Sequence, residues 1–216
     1  NNMKKTLLAT MMTFLISGVS YADELRLEAG ASAKLGDYTL KVEEQTRQEL
    51  TVSEDLVTKA APYEHTVFAI GKDVLAGPNG TVDLQLRIRN TNTAGESKNR
   101  VSLDVNSNSE LPIGLSLQNR LRLQLDEHSD ITAVGASDFR VRDQLTLSKD
   151  VLGTTVSVGD ELHLGTDAKI KENRIVAAIA KKICEGFSVR AEYFRQHMVE
   201  GQDDANVVTA MATLSF

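Results

Sequence analysis

Along most of this chain the apolar residues recur at every second position, with polar or charged residues between them. The clearest run is 114–125, where Leu115, Leu117, Leu121, Leu123 and Leu125 share one face and Ser116, Gln118, Arg120, Arg122 and Gln124 the other. Val82, Leu84, Leu86 and Ile88 likewise oppose Asp83, Gln85, Arg87 and Arg89. Phe139, Val141, Leu145 and Leu147 oppose Arg140, Arg142, Gln144 and Thr146. Val156, Val158, Leu162 and Leu164 oppose Thr155, Ser157, Glu161 and His163, and Val189, Ala191 and Tyr193 oppose Ser188, Arg190 and Glu192. A period of two marks strands with one apolar side, and helical periodicity is nearly absent. The last segment follows the same rule, with Val208, Ala210, Ala212, Leu214 and Phe216 on one face.

Weaker alternation over 25–35, 38–50, 65–74, 100–107 and 173–183 brings the candidate strands to eleven. Each is near the roughly 9–11 residues that a tilted strand needs to cross a bilayer core. The connections alternate in length: 36–37, 76–80, 109–112, 150–153 and 184–186 are short, while 51–64, 91–98, 126–138, 165–172 and 198–205 are longer and polar. Short turns at one end and long loops at the other are the arrangement of outer-membrane barrels, which in bacterial single chains have an even number of strands. Ten strands are therefore expected if the first segment does not span, or twelve if a further strand lies within 51–64. With four Tyr, six Phe and no Trp, the aromatic girdles are expected to be thin.

The two ends of the sequence agree with export to an envelope. After Met3 come Lys4 and Lys5, an apolar run from Leu7 to Val19, and Ser20, Tyr21 and Ala22 before Asp23. That is a signal-peptide pattern over 1–22, starting at Met3 and leaving 23–216 as one barrel domain. The run is too short for a membrane helix, which needs about 20 residues. Leu214 and the aromatic Phe216 at the end of the final strand are expected to be read by the barrel-assembly machinery, with outer-membrane lipid as the other partner. The net charge of −6 over 216 residues, without any basic run interleaved with aromatics, argues against a nucleic-acid partner. The single cysteine, Cys184, allows no intramolecular disulfide. A hydrophobic content of 41% suits a barrel with one face toward lipid and a polar face toward its lumen.

If the apolar faces look outward, the lumen collects charge. Lys41, Arg87, Arg89, Arg100, Arg120, Arg122, Arg140, Arg142, Arg174 and Arg190 fall on polar faces, as do Glu43, Asp83, Asp104, Glu161 and Glu192. So many guanidiniums are tolerable only when paired with carboxylates or left beside water. The two consequences are a salt-bridge ladder filling the lumen and an anion-attracting passage. Ten to twelve strands stand just above the eight whose interior side chains fill, and well below the 16–18 of open porins.

Asn119, Asp143 and Asp160 break the pattern, sitting at outward parity in three consecutive strands. Bulges turning the carboxylates inward, an external protein interface, or a polar site across the strands would each account for them. Glu161 and His163 share one strand face and offer an acid–base pair or two metal ligands, with no third partner indicated by spacing. His65, His128 and His197 lie near loop ends and read as solvated. The run 114–118 begins like Gly-x-Ser-x-Gly but ends in Gln118, so it makes no nucleophile elbow. Nothing in the sequence marks a catalytic set, a metal centre or a cofactor.

Asn119-Arg120-Leu121-Arg122, Phe139 to Asp143 with its two arginines, Gly159-Asp160-Glu161-Leu162, Asn173-Arg174-Ile175 and Ala191-Glu192-Tyr193, followed by the closing strand, resemble motifs of a bacterial family of small outer-membrane barrels. That family is catalogued as a domain of unknown function. The chain departs from it in having few aromatics, with Ile175-Val176-Ala177-Ala178 replacing a stretch that usually includes Tyr or Gly. The resemblance implies a Gram-negative outer-membrane location and an all-β, up-and-down antiparallel transmembrane fold, and brings no activity or catalytic residues. The expected function is accordingly a non-enzymatic outer-membrane barrel, either structural or a narrow, porin-like, anion-preferring channel. Two alternatives stand beside it. One is a membrane-embedded enzyme acting on lipid or lipopolysaccharide through Asp143, Asp160, Glu161 and His163. The other is a soluble periplasmic ligand-binding barrel with its leucines inside.

Overall fold

The computed structural model describes residues 23–49, 63–77, 80–93, 96–127, 137–199 and 204–216. The expected signal peptide (1–22), most of the 51–64 and 126–138 loops, half of the 198–205 loop and His128 lie outside them. Eleven strands follow one another: β1 (Glu24–Leu35), β2 (Tyr38–Glu49), β3 (Tyr63–Gly77), β4 (Gly80–Thr93), β5 (Glu96–Leu111), β6 (Leu115–Glu127), β7 (Ser137–Val151), β8 (Thr154–Leu164), β9 (Ile170–Cys184), β10 (Phe187–Met198) and β11 (Ala205–Ser215). One 3-10 turn, Pro112–Gly114, links β5 to β6. Each strand pairs antiparallel with the next, and β1 closes the barrel by pairing with β11.

The number is eleven, not ten or twelve. β2 pairs directly with β3, so no strand stands between them in the sheet. The first segment is a full member that pairs on both sides. An odd count places the start of β1 at the long-loop end and the end of β11 at the short-turn end. Both strands then run the same way, and the closing pair must be parallel, from Glu24 opposite Val207 to Ser32 opposite Ser215. Parallel pairing is slightly less stable per residue than antiparallel. Both ends of this seam carry extra bonds. The Asp23 amide donates to the Asn206 carbonyl at 2.7 Å, and the Asn206 amide donates to the Asp23 carboxylate at 2.6 Å. At the other end the Phe216 amide donates to the Ser32 carbonyl at 2.9 Å, while the Phe216 ring stands 82% exposed.

The loop sorting holds with one correction. The expected long connection over 91–98 is absent, because β4 runs to Thr93 and β5 starts at Glu96. Asn90 donates to Asn99 at 2.8 Å and to Ser97 at 3.2 Å across this hairpin. Polar outward side chains there extend the ladder without extending the apolar pattern. At the opposite end, β7 turns into β8 through Leu152 (φ 57°) and Gly153 (φ 73°). Two consecutive positive φ values are what a two-residue turn matched to strand twist requires.

The outer face is apolar. Leu40, Val42, Phe68, Ile70, Leu84, Leu86, Ile88, Val101, Leu103, Leu121, Leu123 and Leu125 all stand exposed. The inward positions carry the charge, so the inverted arrangement with leucines inside does not occur. A small apolar cluster interrupts the charged interior, where Val176 of β9, Phe194 of β10 and Val207 of β11 pack together.

Candidate functional site: the arginine-lined lumen

Alternation sends Arg and Glu inward from every second position, and register decides which of them meet. One row across the wall runs Asn106, Arg120, Gln144, Glu161 and Arg174; the next runs Asp104, Arg122, Arg142, His163 and Glu172. Adjacent rows therefore place Glu161 among three guanidiniums. Arg142 donates to its Oε1 at 2.6 Å, Arg120 to its Oε2 at 2.8 Å, and Arg174 reaches Oε1 at 3.4 Å. The carboxylate itself is almost wholly buried. A carboxylate accepting several charge-assisted bonds from different strands fixes their relative register.

His163 extends this network. Its Nε2 lies 2.6 Å from Glu161 Oε1, and its Nδ1 lies 3.1 Å from Glu172 Oε2. With one ring nitrogen facing each carboxylate, His163 bridges Glu161 of its own strand and Glu172 of β9. The third partner that sequence spacing did not indicate is thus Glu172, a residue read as the end of a loop. It also takes a bond from Arg174. Among the described residues no group of His, Cys, Asp and Glu is arranged to hold a metal ion.

Elsewhere around the lumen the carboxylates pair with one or two arginines. Arg122 grips Asp104 with two bonds, at 2.7 and 2.6 Å, both groups buried. Arg87 donates to Glu43 at 2.5 Å, and Arg100 takes Asp126, another residue read as loop, which also lies 3.8 Å from Arg140. Arg190 pairs with Glu192 two positions along the same strand at 2.6 Å. Arg26 and Arg174 stack on the ring of Phe194, with guanidinium carbons 4.8 and 5.1 Å from its centroid. This aromatic was missed from sequence; its signal is an apolar ring at polar parity in β10.

These side chains surround a cavity of about 510 Å³. Eleven arginines line it: Arg26, Arg47, Arg87, Arg89, Arg100, Arg120, Arg122, Arg140, Arg142, Arg174 and Arg190. Five glutamates face them, namely Glu28, Glu43, Glu161, Glu172 and Glu192. Adding Glu24, Asp104 and Asp126, which pair with lining arginines from the flanks, still leaves three more cations than anions. His65 also lines the cavity. It is buried in β3 and not solvated as its place near a loop suggested, because β3 begins two residues earlier and turns it inward.

The outward trio remains outward. Asn119 donates to Asp143 at 2.8 Å across β6 and β7, and Asp160 stands exposed on β8. Strand pairing runs unbroken through all three, while the described bulges fall near strand ends, beside Val74, Lys171 and Ile183. A bulge therefore does not turn these carboxylates inward. The four residues considered for catalysis lie on opposite sides of the wall, with Asp143 and Asp160 outside and Glu161 and His163 inside, so they form no single constellation. Leu214 is exposed at the short-turn end, with its backbone opposite Ala31. His197 is exposed and pairs with Asp204 at 2.7 Å.

Compared with known proteins, the chain matches no family model and no curated protein.

Proposed function

We propose that this chain is a non-enzymatic outer-membrane β-barrel whose lumen is a narrow, anion-preferring aqueous passage. The observation that carries this reading is the polarity of the wall. An apolar outer face surrounds a closed sheet whose inner face holds an excess of arginine around a cavity. A closed barrel satisfies every strand's backbone groups without an edge, which is what lets a sheet sit in hydrocarbon. In water the same exposed leucines would form an apolar patch far beyond the few hundred Å² that soluble monomers tolerate. The strands exceed the span of the bilayer core, so their ends project past it, and the polar hairpin at Asn90 and Asn99 belongs to that projecting rim.

The interior is too crowded for a wide pore. The Glu161 network ties the inner faces of the neighbouring strands β6, β7, β8 and β9 together, and its bulky side chains project into the lumen beside the cavity. A passing cation would meet the unbalanced guanidiniums, and an anion would be drawn to them. Two measurements test the proposal in order. Envelope fractionation with gel mobility before and after boiling is expected to place a heat-modifiable band in the outer membrane. Planar-bilayer recording is then expected to show small conductance with a reversal potential on the anion side. Release into the soluble periplasm, or cation preference, would overturn it.

A further inference from the structure

We propose that the lumen holds a binding site for a compact oxyanion of two or more charges, of the phosphate or phosphomonoester class, centred on Arg89 and Arg87 of β4 and backed by Arg100 of β5. This rests on the reading of the lumen as water-filled and asks which anion it selects. Arg89 points inward between Val67 of β3 and Arg100 of β5, and neither register neighbour offers an acceptor side chain. Its cationic neighbours include Arg100, Arg122, Arg47 and Arg87, and the Glu28 carboxylate of β1 also feels its charge and that of Arg87 without forming an ion pair to either. Among the described residues no carboxylate forms an ion pair with Arg89.

The surrounding arginines are not free to swing away. Glu43 holds Arg87, Asp126 holds Arg100 and Asp104 holds Arg122 from behind, so their charges stay fixed around Arg89. A fixed group of like charges, with one member unpaired and a cavity in front, is pre-organised for a counter-anion. Guanidiniums on different strands present planar forks from several directions. Such forks match a tetrahedral oxyanion better than a halide, which accepts without direction, or a planar carboxylate carrying one charge. The cavity of about 510 Å³ lies within the range of small-ligand pockets, about 300–1,000 Å³, so a small ester fits as well as the free ion.

The test is titration calorimetry on the full chain in detergent, with inorganic phosphate, glycerol phosphate and chloride at matched ionic strength. Folding is verified in each sample by heat-modifiable mobility. Phosphate is expected to bind and chloride not. Arg89→Gln is expected to weaken phosphate binding about tenfold or more, and Arg89→Lys to weaken it less, since it keeps the charge and loses the fork. Without phosphate, Arg89→Gln is expected to raise the temperature at which the folded band is lost, because it relieves repulsion; a merely structural arginine would lower it. Equal binding of glycerol phosphate identifies an ester as ligand, and binding of inorganic phosphate alone identifies the free ion. Absence of binding at millimolar phosphate, or binding unchanged in Arg89→Gln, overturns the site. Anion-preferring conductance without phosphate binding would sink the site and leave the passage standing. Phosphate binding by a barrel that does not conduct would do the reverse.

Discussion

At the residue scale, Glu161 is where the interior is most vulnerable. Three arginines and His163 converge on one buried carboxylate, so its loss leaves several charges without their common partner. Removing one member of a buried pair typically costs about 3–5 kcal/mol. Because the network borders a cavity, Glu161→Gln is expected to destabilise by about 3 kcal/mol, the low end of that range. Denaturant unfolding in micelles measures it. Glu192→Gln breaks a partly exposed same-strand pair and is expected to cost about 1 kcal/mol or less. Outside the wall the sign reverses. Asp143 faces the apolar side with one described bond, from Asn119, so Asp143→Leu is expected to stabilise the barrel by about 1 kcal/mol in lipid vesicles, acidic residues costing less than Arg or Lys there. A loss of stability instead would show that the trio holds an external partner. Parity along each strand made the facing of all these residues legible in the sequence. Their pairing was not legible, because a carboxylate's partners depend on register between strands and not on spacing within one. Glu172 and Asp126 were read as loop because they lie beyond the apolar pattern of their strands, Glu172 before its start in β9 and Asp126 after its end in β6, yet both still belong to the ladder.

At the scale of elements, the parallel β1–β11 seam is the part that counting could not settle. Eleven alternating segments were visible, but evenness favoured ten or twelve, and only the observed pairing of β1 with both neighbours resolves the number. The seam relies on Asp23 at the long-loop end, whose carboxylate accepts from the Asn206 amide. Asp23→Ala removes an exposed charge-assisted bond and is expected to cost about 1 kcal/mol. Exchange of the Asn206 amide should accelerate more than that of Val208, deeper in the strand. The β10–β11 hairpin beside it carries a pH response. His197 bonds Asp204 and Arg195 adds a second contact, and together they hold the Asp204 carboxyl below its ordinary value. A depressed carboxylate stabilises fully above its unfolded pKa of about 3.9, and that contribution fades as pH falls through the lower folded value. Protection of the Val199 and Ala205 amides, taken relative to unstructured exchange at the same pH, should therefore fall as pH drops below about 4. Protection that stays unchanged down to about pH 2 would contradict this ordering.

At the scale of the whole molecule, charge is sorted between compartments. The chain as a whole is negative, with a net charge of −6, yet the cavity it encloses is lined by a surplus of arginines. The acidic excess of the chain is therefore not in the cavity lining. Any selectivity thus originates inside the wall, where an eleven-stranded lumen is only somewhat wider than one that side chains fill. Electrostatic selection survives when the screening length exceeds the width of the passage. That length is about 30 Å at 0.01 M salt and about 3 Å at 1 M. The anion preference of a bilayer-inserted barrel should accordingly be strong at low salt and nearly vanish at molar salt, as read from reversal potentials across potassium chloride gradients of fixed ratio. Arg87→Gln with Arg89→Gln removes two of the lining cations and should cut the low-salt preference substantially. It should leave the high-salt value unchanged, because little field remains there to remove. Preference that persists undiminished at molar salt would instead point to a steric filter or a saturated site. Wall electrostatics would then no longer account for the passage.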